Sequence, residues 1–217
     1  MPAPRFLYLH GFASGPRSKK GLAFAEHFTA RGVHMECLDL RVPSFEKLRL
    51  SQMIEVTRAA IGSPRDRVVV FGSSLGGLTA ARVAERDPRV AALVLLAPAF
   101  QLVARWRQQL GPAWDDWQRT GWREVLDHTT NAMARVDFGF PEDVAAIDFG
   151  FPDIRIPTLI LHGTRDEAVP IDNSRRFAAG RRHVRLIELD DGHELIASLP
   201  RLLEESDAFL APWFGGD

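Results

Sequence analysis

Short apolar runs alternate along the chain with longer stretches whose apolar positions recur every three or four residues. The runs are Phe6–Leu9, Met35–Leu38, Val68–Phe71, Ala92–Leu96, Thr158–Leu161 and Val184–Leu189. Several are apolar at consecutive positions, as strands covered on both faces are. The first helical stretch, Ser18–Arg31, opens on a capping Ser18 and stops at Gly32. The second, Phe45–Ile61, lines Leu50, Met53, Ile54, Thr57 and Ile61 along one face, with Ser44 placed to cap it. The third, Leu75–Arg86, closes at Asp87-Pro88. Repeated strand–helix units joined by right-handed crossovers predict an α/β fold: a mainly parallel sheet of about six strands with helices on both faces.

One stretch breaks the rhythm. From Pro98 to Pro157 no strand stands out, and the segment holds Trp106, Trp114, Trp117 and Trp122, four of the five tryptophans. It is expected to be an inserted helical cap, at about 98–157, over the carboxyl edge of the sheet within one domain spanning 1–217. Asp-Phe-Gly-Phe-Pro occurs twice in it, at 137–141 and 148–152, and two similar turns are expected there. The repeat is too short to define a repeat fold.

Composition narrows the function classes. A chain of 217 residues, 46% hydrophobic and 25% charged, can build one sizeable core. A formal net charge of -1 gives no footing for nucleic acid. Pairs such as Arg181-Arg182 read as a solvated face. Cys37 is the one cysteine and lies in an apolar run, so it is expected to pack, and a reducing compartment fits. Met1–Arg5 and the short apolar run after it lack the parts of a signal peptide. No apolar run approaches the roughly 20 residues that span a bilayer. The expectation is a cytoplasmic protein with no membrane partner.

Chemistry enters where Val68–Phe71 runs into Gly72-Ser73-Ser74-Leu75-Gly76-Gly77 and a helix begins. A serine nucleophile must stand clear of the sheet on a very tight, strained turn, which brings the residues two before and two after it together. Gly72 and Gly76 meet that need and make Ser74 the nucleophile. The helix after it points its positive end at charge developing on a substrate. Ser73 lacks glycine on both sides, and no Lys-Ser or Lys-Thr comes next to make a phosphate loop.

A hydroxyl needs a base. His193 lies just beyond the last strand, in Asp190-Asp191-Gly192-His193-Glu194, facing the same sheet edge as Ser74. A zinc reading of His193-Glu194 fails because position 197 is Ala197. A carboxylate should orient the imidazole. The strand ending at Leu96 is followed by Ala97-Pro98-Ala99, without an acid. The strand ending at Leu161 leads to Asp166, with Glu167 the near alternative. The order Ser74, Asp166, His193 is the one described for α/β-hydrolases. After the first strand comes His10-Gly11-Phe12, and the N–H groups of Phe12 and Leu75 are the expected oxyanion donors. His10 is expected to be a structural hydrogen-bonding residue.

Together, Leu7–Phe12, Gly72–Gly77, His162–Asp166 and Asp191–His193 resemble the α/β-hydrolase superfamily, and within it small bacterial esterases and thioesterases. The run from Leu9 through Pro16-Arg17-Ser18-Lys19 is typical of that group. The resemblance implies an α/β-hydrolase fold beginning at the superfamily's third strand. It also implies a serine hydrolase that cleaves a carboxylic ester or thioester of a small-molecule acyl substrate through an acyl-enzyme, with no cofactor or metal. Amide, carbon–carbon or perhalogenation chemistry on the same triad is the alternative, and a non-catalytic binding protein on the same fold a further one.

Overall fold

The computed structural model of the protein describes residues 5–214. Met1–Pro4, part of the stretch read for a leader, and Gly215–Asp217 lie outside the described residues. Six parallel strands, β1 (Arg5–Leu9), β2 (Met35–Leu38), β3 (Val68–Ser73), β4 (Val90–Leu96), β7 (Thr158–Gly163) and β8 (Val184–Leu189), form one sheet in the order β2-β1-β3-β4-β7-β8. Each expected strand is present. A separate antiparallel hairpin joins β5 (Trp122–Asp127) to β6 (Ala132–Asp137).

The consecutive apolar residues of the strands divide between two cores. Leu7, Leu9, Val68, Val70, Leu93, Leu95 and Ile160 face one side. There they meet α2 (Leu50–Ile61), α3 (Leu75–Ala84) and α7 (Ile171–Ala178). Phe6, Tyr8, Val69, Phe71, Val94, Leu96 and Leu159 face the other. That side is closed by α1 (Lys19–Thr29) and α8 (Leu199–Phe214). Burial on both faces is why these strands show no polar alternation. Cys37 packs at the edge of the second core.

Ser18 caps α1 as expected, its hydroxyl accepting the Gly21 N–H at 3.3 Å. The second helix is a correction. It starts at Leu50, not Phe45, and Ser44 does not cap it. The N–H of Arg49 is drawn back to the Val42 carbonyl, which holds Arg49 extended. The first turn is satisfied from a distance: Asp143 accepts the N–H of Ser51 at 2.8 Å and its hydroxyl at 2.7 Å. The face Leu50, Met53, Ile54, Thr57, Ile61 is buried, in agreement with its periodicity.

The region after β4 is the other correction. It contains α4 (Leu102–Leu110), α5 (Pro112–Thr120), the β5–β6 hairpin and α6 (Gly139–Ile147), so it is not purely helical. The hairpin carries little signal in the sequence because its strands, Trp-Arg-Glu-Val-Leu-Asp and Ala-Met-Ala-Arg-Val-Asp, are half polar and leave much of one face exposed. The doubled pentapeptide does not make two similar turns. The first copy ends β6 and opens α6, and the second comes after the end of α6 as irregular chain. What the copies share is an arginine for each aspartate. Asp137 takes both terminal nitrogens of Arg49, at 2.7 and 2.9 Å, and Asp148 takes Arg82 at 3.0 Å. Trp114 and Trp117 are buried, and the Trp117 indole N–H donates to the Val136 carbonyl.

Candidate active site

Ser74 stands between β3 and α3 with φ 53° and ψ -113°, outside the region an L-residue prefers. Its N–H donates to the Leu96 carbonyl at 2.9 Å, and its carbonyl accepts from Ala99 at 3.0 Å. A Cβ on Gly72 would overlap the Gly76 carbonyl, and one on Gly76 would overlap the Leu9 carbonyl. Only hydrogens fit at these two points, which is what lets β3 turn so sharply into α3.

The sheet topology brings β7 and β8 side by side, so their loops share the edge where Ser74 emerges. The two loops are stitched together: Thr164 N–H donates to the Leu189 carbonyl and Arg165 N–H to that of Asp191. His193 Nδ1–H donates to Asp166 Oδ2 at 2.8 Å, and the Ser74 hydroxyl donates to His193 Nε2 at 3.0 Å. An ionised carboxylate can only accept, so the imidazole proton sits on Nδ1 and Nε2 keeps a lone pair for the serine. The structure therefore brings Ser74, His193 and Asp166 into one line. Glu167 is exposed on the same loop and takes no part in it.

The Asp166 side chain is fully shielded from solvent. Burial alone would raise its pKa. Hydrogen bonds from His162 and His193, and from the Val169 N–H, outweigh burial and hold the carboxyl well below the usual range. Oδ1 accepts the N–H groups of Ala168 and Val169 at 2.9 and 2.7 Å.

Two residues around this line do not stand out in the sequence. His162, entirely buried at the end of β7, places Nε2 at 2.9 Å from the Val169 carbonyl and 3.1 Å from Asp166 Oδ2. Both partners only accept, so Nε2 carries the proton, and Nδ1 accepts the Ser174 hydroxyl at 2.8 Å. A second imidazole thus holds the acid from behind. Its signal is its place in His162-Gly163-Thr164-Arg165-Asp166, four residues before the acid. The other is Lys20, 7% exposed, whose ammonium donates to the Glu194 carbonyl at 2.7 Å and pins the His193 loop to α1. Burial lowers its pKa against the pull of Glu194. Its signal is no more than its place in the Ser18-Lys19-Lys20 run.

Phe12 and Leu75 line one crevice beside Ser74, and a Cβ on Gly11 would lie 3.4 Å from that of Ser74. Among the described residues neither the Phe12 nor the Leu75 N–H donates to a protein acceptor. Leu75 is the first residue of α3, where no intrahelical acceptor exists. The crevice is narrow, about 10 Å³, with Met53, Phe45 and Leu48 in its wall. His10 is structural here. It is 3% exposed, accepts the Leu40 N–H at 2.9 Å and contacts the Gly11 carbonyl at 2.9 Å.

The segment after β4 reaches over this edge. Trp106 of α4 packs edge-on against Phe12 at 5.0 Å, and Phe140 of α6 stacks on Phe12 at 5.8 Å. The hairpin turn adds a bond from the His128 N–H to the Ala13 carbonyl at 2.9 Å.

Residues 5–210 match one family model. The chain belongs to the uncharacterised protein family UPF0227. No curated protein matches it by sequence. Solved structures similar to this UPF0227 protein have the α/β-hydrolase fold. Mouse alpha/beta hydrolase domain-containing protein 10 is 18% identical, with a TM-score of 0.80 over 98% of this chain and 92% of that one. Est1E from Butyrivibrio proteoclasticus with ferulic acid bound is 21% identical, with a TM-score of 0.81 over 98% and 90%. A monoacylglycerol lipase from Paleococcus ferrophilus is 18% identical, with a TM-score of 0.68 over 93% and 96%. The UPF0227 chain is an α/β-hydrolase by fold. No helix among its described residues is long and apolar enough to cross a membrane.

Proposed function

We propose that the protein is a serine hydrolase cleaving a carboxylic ester or thioester through an acyl-enzyme. The observation that carries this reading is the unbroken line from Ser74 Oγ through the His193 imidazole to Asp166, at 3.0 and 2.8 Å, beside the N–H groups of Phe12 and Leu75. Ser74 Oγ attacks the carbonyl carbon as its proton passes to His193 Nε2. The Asp166 carboxylate stabilises the imidazolium, and the N–H groups of Phe12 and Leu75 receive the oxyanion. Collapse expels the alcohol or thiol, which takes the proton from Nε2. Water then repeats the sequence on the acyl-enzyme and frees the acid. An Est1E carrying ferulic acid and a monoacylglycerol lipase among the similar structures fit ester chemistry. The segment at 98–157 acts as a cap that shapes the acyl site. The single cysteine fits a reducing, cytoplasmic setting.

The test is covalent labelling with a fluorophosphonate probe, followed by peptide mapping. A single adduct on Ser74, abolished in Ser74→Ala together with turnover of 4-nitrophenyl butyrate, is the expected result. Folded protein that takes no adduct would leave only a silent binding protein on this fold.

A further inference from the structure

A groove of about 660 Å³ lies between α4 and α7, and Ser74 is not in its lining. One wall is a single face of α4, carrying Ala104, Arg105 and Gln108, and the other carries Asp172, Arg175 and Arg176. The volume suits a small-molecule site. Both walls spring from the reacting centre. Gln101, in the first wall, is two residues from Ala99, whose N–H holds the Ser74 carbonyl. Pro170, in the second, comes directly after Val169, whose N–H holds Asp166. The two walls are also tied, since Gln109 donates to the carbonyls of Glu167 and Ala168.

The charges in the groove do not balance. Arg175 is neutralised by Asp172 and Glu188, at 2.9 and 2.6 Å. Arg176 makes no ion pair among the described residues and bonds only to the neutral side chains of Gln101 and Asn173. Arg105 is the stronger case. Its Nε and Nη1 are shut off from solvent and have no acceptor among the described residues. Burial pushes its pKa down to about 10, against the pull of Asp166 and Asp148. A guanidinium with buried N–H groups left unmade is costly and calls for an explanation. Arg105 lines the groove, and its planar fork of donors, turned out from the buried position, matches the oxygens of a carboxylate or phosphate.

We infer that the α4–α7 groove is a substrate subsite in which Arg105 and Arg176 hold an anionic arm, a carboxylate or a phosphate, while the ester lies at Ser74. The inference rests on the hydrolase reading for its substrate and on the groove alone for its anion. The preferred substrates are therefore esters or thioesters with a negative group a few bonds from the scissile carbonyl, rather than neutral lipids.

Two measurements test it. The first compares kcat/KM for a ladder of mono(4-nitrophenyl) dicarboxylates, succinate to suberate, with neutral 4-nitrophenyl esters of matching length. A parallel pair carries a phosphate or a hydroxyl on the alcohol side, which separates the two anion sources. At one chain length, or in the phosphate pair, the anionic ester should be favoured at least ten-fold. Arg105→Met and Arg176→Met should each lower that ratio ten-fold or more, with Arg105→Lys between. Arg107→Met, which removes the same charge from an exposed position of α4 outside the groove, should leave the ratio within two-fold. The second is calorimetric titration with inorganic phosphate and with glutarate, which needs no turnover. Millimolar binding that weakens ten-fold in Arg105→Met supports the subsite even if no ester is cleaved. The inference is overturned by neutral esters turned over as fast as anionic ones at every length and in the phosphate pair. A ratio that Arg107→Met changes as much as Arg105→Met overturns it too, as does a loss in Arg105→Met equal for both substrate classes.

Discussion

Replacing Asp166 by Asn keeps the shape of the side chain and removes its charge, and the four donors around that side chain decide the outcome. Both carboxylate oxygens are committed. Oδ1 accepts the N–H groups of Ala168 and Val169, and Oδ2 accepts those of His193 and His162. An amide has one acceptor end, so in either orientation its NH2 faces two donors. The backbone donors cannot change, whereas an imidazole can move its proton. The oxygen therefore stays at Oδ1, and His193 takes the tautomer with its proton on Nε2. That nitrogen then has no lone pair for the Ser74 hydroxyl. Turnover should fall about ten-thousand-fold, or about 5.4 kcal/mol in the barrier at 1.36 per decade. The folding cost is smaller. Two bonds to a charged acceptor, each about 1.5–3 kcal/mol, are only partly replaced, so a loss of about 2–4 kcal/mol is expected. For a chain of this size that lowers Tm by about 5–15 °C. Initial rates on 4-nitrophenyl butyrate and a melting curve on the same preparation measure both. Folded Asp166→Asn protein within ten-fold of the parent rate would refute the tautomer reasoning, and a crippling effect of Glu167→Gln would move the acid to the exposed neighbour. Acid stability depends on the same carboxylate. Its folded pKa is depressed, so its stabilisation is present above the unfolded value of about 3.9 and is lost as pH falls through the lower folded value. Asp166→Asn should flatten that acid limb in a urea–pH series.

Three further outcomes are expected. His162→Leu should lower kcat about 10- to 100-fold, the loss of one bond to a charged group, while KM stays within two-fold, as for a positioning residue; KM rising in step with the fall in kcat would argue against that role. Arg82→Met leaves the Asp148 carboxylate, 1% exposed, without its cation, and equilibrium urea unfolding should show a loss of about 3–5 kcal/mol; a loss under 1 kcal/mol would contradict the buried pair. Burial holds the His10 imidazole below its ordinary pKa, with Asp39 opposing and Arg41 reinforcing; its stabilisation is present above about pH 6.5 and is lost as pH falls below it, at about 1.4 kcal/mol per pH unit within the window, and His10→Gln should remove that slope.

Legibility from sequence divides along the range of the interactions. The six sheet strands are readable because each is a short apolar run bounded by turns, the central ones buried on both faces, and the elbow because Gly72 and Gly76 flank Ser74 within five residues. Ser74, His193 and Asp166 can be named because each sits at a strand's carboxyl end, and strand ends share an edge in a parallel sheet. What escapes depends on partners far away in the chain. Asp143 sets where α2 begins from 92 residues off. Lys20 reaches the His193 loop from 174 residues off. The hairpin strands carry no clear period of two because they pack only partly. The paired roles of Asp137 and Asp148 lie in the doubled motif, but nothing in the motif says that Arg49 and Arg82 answer it.

The fastenings of the segment after β4 carry an engineering consequence. Arg49 grips Asp137, Ser51 grips Asp143 and Arg82 grips Asp148, all from helices of the body or the chain leading into them. Riveted at three points, the segment, in the cap role proposed for it, offers a fixed doorway rather than a swinging one. Grafting residues 98–157 onto another scaffold would therefore reproduce its placement only if Arg49, Ser51 and Arg82 travelled with it as sockets.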